Sequence, residues 1–97
     1  MIIAIPTDDK KTVSSVFGRA EFFALYKDGQ SEPEFVSGTE GAEHGAGTGA
    51  VSMLVSKGVT RVVAPQLGPK AADSLKVASV EVRIAAAGTE LAQALKS

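Results

Sequence analysis

Hydrophobic residues along this chain fall into short clusters whose spacing changes from strand-like to helix-like near residue 50. Ile2, Ile3, Ala4 and Ile5 run together and are closed by Pro6, the pattern of a central strand buried on both faces. Residues 7 to 20 read as a long polar loop. Phe22-Phe23-Ala24-Leu25-Tyr26 predicts a second strand, and Asp28-Gly29 a turn into a third around Glu34-Phe35-Val36, so these two form a hairpin. From Ser37 to Gly49 there are five glycines and no hydrophobic residue larger than alanine, which predicts a loop with an accessible backbone.

Helical spacing begins at Ala50, with Ala50, Val51, Leu54 and Val55 on one stripe and Lys57-Gly58 as its end. Val62-Val63-Ala64-Pro65 predicts a short buried strand. Gly68-Pro69 opens a second helix, with proline in its first turn and Ala71, Ala72, Leu75 and Ala78 as the stripe. Val80, Val82 and Ile84 alternate with Glu81 and Arg83, a last strand with one wetter face. Thr89 is the expected cap of a final helix carrying Leu91, Ala92 and Leu95.

A faint repeat runs through the second half. Leu54, Gly58, Val59, Val63 and Ala64 are echoed 21 positions later by Leu75, Ser79, Val80, Ile84 and Ala85, so two helix-strand units follow one another. The order β-β-β-α-β-α-β-α predicts one α/β domain over residues 1–97. Its mixed five-stranded sheet has the first, fourth and fifth strands parallel and the hairpin strand antiparallel. With right-handed crossovers, the loops at Thr7, Arg19, His44 and Gly68 all emerge at one edge of the sheet. Carboxyl ends of parallel strands, faced by helix N-termini, are where open α/β sheets hold ligands, and free N–H groups there favour anions.

Composition narrows the chemistry. With 97 residues the chain makes one small domain, and 44% hydrophobic against 22% charged residues is ordinary for a globular protein. A formal net charge of -1 supplies no field to attract nucleic acid or an anionic membrane, so neither is an expected partner. The absence of cysteine excludes disulfides, thiolate metal sites and cysteine-ligated clusters within one chain. No run approaches the length of a membrane span, and the apolar start lacks the basic flank of a signal peptide, so a cytoplasmic location is expected.

Individual motifs are sparse. Gly45, Gly47 and Ala50 fit G-x-G-x-x-A. A dinucleotide site also needs a strand directly before the motif and an acid about 20 residues on, whereas Val63 to Ala72 has no carboxylate. Asp8 and Asp9 invite comparison with a two-metal nuclease, but there is no acid from Gly49 to Lys57 to complete the set, and a turn is the simpler reading. Arg19 is either a guanidinium clamp for an anion or a surface arginine paired with Glu21 or Glu40. His44, the lone histidine, is either a solvated loop residue or a single ligand; one imidazole cannot make a closed zinc site. Ser14, Ser15, Ser37 and Ser52 lack the strained elbow of a nucleophile.

Four stretches, "AIPTDD", "FGRAEFF", "HGAGTGAVSMLVSKGV" and "LGPKAADSLK", make nearly the whole chain resemble the dinitrogenase iron-molybdenum cofactor biosynthesis family, the NifX, NafY core and NifB C-terminal type of domain. The resemblance implies a ribonuclease H-like fold without nuclease residues. It implies a non-enzymatic carrier or accessory role toward an iron-molybdenum cofactor or its iron-sulfur precursor, in nitrogen-fixation-related chemistry, with cofactor-assembly or acceptor proteins as partners and a homo-oligomer as an option. By position it singles out His44, Gly45 and Gly47, with His44 as the metal ligand, and Phe17, Gly18 and Arg19. One departure stands out: Val16 occupies the place before "FGR" where many relatives carry histidine. Ser79 also replaces a glycine common between the second helix and the last strand. Val16 and the missing cysteines motivate an alternative, a small-anion or metabolite-binding module that kept the scaffold and lost the cluster. A scaffold recognised only by protein partners is a third reading.

Overall fold

The computed structural model describes residues 1–15, 17, 20–28, 32–37 and 48–96, with residues 48–50 described by their backbone alone. Five strands, β1 (Ile2–Thr7), β2 (Phe22–Lys27), β3 (Glu34–Ser37), β4 (Arg61–Ala64) and β5 (Glu81–Ile84), form one sheet in the order β3-β2-β1-β4-β5. β1 is antiparallel to β2 and parallel to β4; β2 is antiparallel to β3, and β4 is parallel to β5. The predicted α/β class, mixed sheet and element order are therefore present. Helices α1 (Thr48–Ser56) and α2 (Pro69–Val77) join the parallel strands, and α3 (Leu91–Leu95) follows β5.

The sheet separates two apolar layers. One face carries Ala4, Phe23, Leu25 and Val62 against Val51, Met53 and Leu54 of α1 and Ala71 and Leu75 of α2. The other carries Ile5, Ala24, Tyr26 and Val63 against Leu91 and Ala94 of α3. Ile5 and Ala4 are both fully buried, so β1 has the two-sided burial that its unbroken apolar run predicts. Its strand runs through Pro6 to Thr7 rather than stopping at Ile5. Ile2 turns its carbonyl toward Thr60, so the even-numbered residues of β1 face β4. Pro6 lies past the last β1–β4 pair, Ala4–Val62, and its carbonyl accepts the Ser14 N–H.

Several expectations about faces need correction. Val55 is 42% exposed, and Met53 takes the buried place beside Leu54 on α1. Helix α1 also begins at Thr48, two residues ahead of the predicted start. On α2, Ala71 and Leu75 are buried as expected, but Ala78 is the exposed C-cap. Thr89 is not the cap of α3: Glu90 holds that position, with no side-chain capping bond, while the Thr89 carbonyl accepts from Val13 N–H. Ala92 is exposed, and Ala94 is the residue buried with Leu91. The segment read as a long polar loop sends Val13, Phe17 and Ala20 into the core. Three isolated apolar residues have no period to reveal them.

The 21-residue echo survives at the helix ends. Leu54 and Leu75 are both fully buried, Val59 and Val80 nearly so, and Gly58 and Ser79 both have left-handed backbones, φ 84° and 61°. After Gly58 and Ser79 the next residue's N–H returns to the helix, Val59 to Leu54 and Val80 to Leu75, closing each helix in the same way.

Candidate site at the strand-end rim

Register puts the candidate loops together. Thr7, at the end of β1, pairs with Phe22, which pairs in turn with Ser37 at the end of β3. β4 and β5 run parallel to β1, so their last residues, Ala64 and Ile84, finish at this same rim. Helices α1 and α2 start from it. Thr7 and the Gly68 loop thus share one edge, as predicted; Arg19 and His44 lie outside the described residues, as do Gly18, Gly45 and Gly47.

The loop after β1 is built in detail. Thr7 is fully buried; its hydroxyl accepts the Lys10 N–H at 3.0 Å and donates to Asp9 Oδ1. Asp9 Oδ1 also accepts the N–H groups of Lys11 at 2.9 Å and Thr12 at 2.8 Å, and both Asp9 oxygens meet the Thr12 hydroxyl. These bonds favour the charged carboxylate, the Thr12 amide most and the Lys11 amide next, and hold its pKa down to about 2. Asp8 receives the Glu21 N–H at 2.9 Å across the loop. Both aspartates are thereby occupied with the backbone, as the turn reading predicts. Among the described residues no three His, Cys, Asp or Glu side chains stand together as metal ligands.

Lys10 adopts a left-handed backbone, φ 64°, and its ammonium lies 4.5 Å from the Phe22 ring centre and 5.4 Å from that of Phe35. That cation–π contact turns its charge back onto β2 and β3. Beyond it the chain passes Val13, buried on the α3 face of the sheet, and then Phe17 and Ala20, buried on the α1–α2 face. Phe17 is 2% exposed and meets Phe23 edge to face, ring centres 5.3 Å apart. Its ring belongs to the core. Sequence reasoning singled out Phe17 but missed Thr7, Asp9 and Val13 as supports of this loop, although Asp9-Lys10-Lys11-Thr12 has the spacing of a side-chain-capped turn.

On the α2 side of the rim, Gly68 holds the N-cap position and Pro69 follows it. No side chain caps this end and no acidic residue occupies the first turn, so the positive end of α2 is unneutralised there. A separate shallow groove lies between α1 and α2, toward their C-terminal halves and away from the rim. Val51, Val55, Val77 and Ala78 make it apolar, with Asp73 its one charged residue. It offers no donor set suited to a metal.

The chain belongs to the dinitrogenase iron-molybdenum cofactor family, which it matches over residues 1–97. It is similar to an uncharacterized protein of Methanocaldococcus jannaschii, 31% identical over 86 residues that cover 84% of this chain and 72% of the other. Among solved structures, a Thermotoga protein named for NifB shares 36% identity with a TM-score of 0.79, covering 98% of this chain and 84% of that one. The apo form of the orange protein from Desulfovibrio gigas shares 27% identity with a TM-score of 0.85, over 98% and 83% of the two chains. The family is of an accessory, cofactor-biosynthesis type rather than a catalytic one. Among the described residues no helix is long and apolar enough to cross a membrane.

Proposed function

We propose that this protein is a cytoplasmic, non-enzymatic carrier or accessory protein whose cargo is an iron-molybdenum cofactor or its iron-sulfur precursor, handed between cofactor-assembly or acceptor proteins. The observation that carries the reading is family membership along the whole chain, joined to a rim where the ends of four strands and the starts of two helices meet. The strand order 3-2-1-4-5 further supports classing the scaffold as ribonuclease H-like.

In this reading His44 donates one imidazole nitrogen to an exposed iron, and the amides of Gly45, Gly47 and Gly18 with the Arg19 guanidinium hold the acidic groups or sulfides. Phe17, whose ring is buried against Phe23, contributes to the core beside this rim. One histidine and no cysteine make a poor donor set for bare metal, so the cargo arrives preassembled and leaves easily. A second reading, a small-anion or metabolite-binding module on the same scaffold, is favoured by Val16 in the position where many relatives have histidine.

The test is anaerobic titration with isolated iron-molybdenum cofactor, following absorbance and co-migration on gel filtration for the natural chain, His44→Ala and Arg19→Ala. Binding that is lost in His44→Ala, with unchanged circular dichroism, supports the carrier. No binding by the natural chain, or equal binding by His44→Ala, removes His44 as a ligand. Retention of inorganic phosphate or sulfate without cofactor binding would favour the second reading.

A further inference from the structure

β5 is an edge of the sheet, and its composition is unusual for an unpartnered one. Glu81 N–H donates to the Thr60 carbonyl and Ala85 N–H to that of Ala64, so Glu81, Arg83 and Ala85 turn their peptide groups toward β4. By the alternation of a parallel ladder, Val82 and Ile84 turn theirs outward. No strand among the described residues pairs with that outer edge. On the α1–α2 face of the edge stand Val80, Val82 and Ile84, and Ile84 is 65% exposed. On the α3 face stand Glu81 and Arg83, which pair with each other, Glu81 also reaching Arg61 at 3.3 Å. Edge strands are commonly guarded by charges, bulges or proline; here the charges are of opposite sign and flank a valine.

We infer that two copies of this chain join through β5, antiparallel, about a two-fold axis at Val82. Only even-numbered residues present peptide groups outward, so even must oppose even, and the axis falls on a residue rather than between two. An axis at Arg83 sets Arg83 against the partner's Arg83, and an axis at Glu81 sets two carboxylates together. An axis at Val82 sets Glu81 opposite the partner's Arg83 twice, and Val82 opposite the partner's Val82. The same axis sets Ile84 opposite the partner's Val80. The hydrogen bonds also close: Val82 N–H groups exchange with each other's carbonyls, and Ile84 N–H meets the carbonyl of the partner's Val80. Val80 N–H needs no new acceptor because it already donates to Leu75. The segment Val80-Glu81-Val82-Arg83-Ile84 is thus self-complementary in charge, apolar pairing and backbone direction at once.

Sedimentation velocity over a concentration series, with amide exchange by NMR on the same samples, tests this. The expected result is a reversible dimer in which the Val82 and Ile84 amides become protected as concentration rises. Arg83→Glu leaves the Arg61–Glu81 pair intact but sets carboxylate against carboxylate across the axis, and it weakens the dimer about tenfold or more. Arg83→Lys retains it, and Val82→Pro, which removes an outward N–H while sparing the bonds to β4, abolishes it. A monomer at NMR concentrations, with β5 bare or taken up only by another protein's strand, overturns the inference. A dimer that leaves Val82 and Ile84 exchanging freely, or that survives Arg83→Glu undiminished, overturns it equally.

Discussion

The units α1–β4 and α2–β5 share a sequence pattern and end their helices alike, yet they bury their strands differently. Val63 is fully buried, whereas its echo Ile84 is 65% exposed. Two physical causes combine. The echo repeats every 21 residues, but the ladder pairs Arg61 with Glu81 and Val63 with Arg83, a separation of 20. That one-residue offset turns Ile84 to the face opposite the one where Val63 points. β4 also lies inside the sheet, between β1 and β5, while β5 closes it. A repeated pattern therefore specifies an element and its cap; its neighbours decide what the element buries.

The comparison can be tested where the units should agree most. Leu54→Ala and Leu75→Ala each remove a fully buried side chain, and each should cost about 2–5 kcal/mol in urea unfolding. A difference between them as large as either effect would mean that the two helices do not share the layer equally. The units should then part at their strands: Val63→Ala is expected to cost about 2 kcal/mol, and Ile84→Ala less than about 0.5 kcal/mol at concentrations where the chain is monomeric. Equal losses would put Ile84 in the core and break the contrast.

A smaller test exchanges the caps. Ser79 carries a side chain at φ 61° where Gly58 has none at φ 84°, and a Cβ at Gly58 would meet only the Ile2 side chain at an ordinary 3.5 Å. Backbone strain alone therefore separates the two positions. Ser79→Gly should stabilise by about 0.5–1 kcal/mol, and Gly58→Ser should destabilise by about 1 kcal/mol, both read from urea midpoints. The smallest expected effect is on pH. The Arg83 hydrogen bond, seconded by Arg61, lowers the Glu81 pKa, so its stabilisation is present above the ordinary glutamate range and fades as pH falls through the lowered value. The corresponding residue of the first unit, Thr60, does not titrate. Glu81→Gln should flatten that part of the acid side of the stability profile; an unchanged profile would leave the Arg83 contact without energetic weight.

These residues also mark how far the sequence could be read. Strand and helix identities followed from period and from Gly-Pro punctuation, because Ile2–Ile5 and Pro69–Leu75 carry their signals locally. Val55, Ile84 and Thr89 were misjudged because hydrophobic character or capping propensity says what a residue favours, and tertiary neighbours say whether that is used. Val13, Phe17 and Ala20 were hidden in polar sequence since a loop that dips into a core has no period. At the candidate site, the convergence of Thr7 and the Gly68 loop was legible from strand order. The burial of the Phe17 ring was not, for a phenylalanine beside glycine and arginine reads equally as anchor or contact.

The loop that supports the rim is fastened to the far end of the chain. Val13 exchanges backbone hydrogen bonds with Thr89 and Gly88, Thr12 bridges to Glu90, and Leu91 N–H reaches the Lys11 carbonyl. Helix α3, only five residues long, is too short to persist alone. During synthesis, then, the earliest part of the rim emerges from the ribosome long before residues 88–91 exist to latch it. A nascent chain has β1 and its hairpin available, but not the finished rim. The folded form of this rim should therefore appear late and all at once, when residues 88–91 have been made.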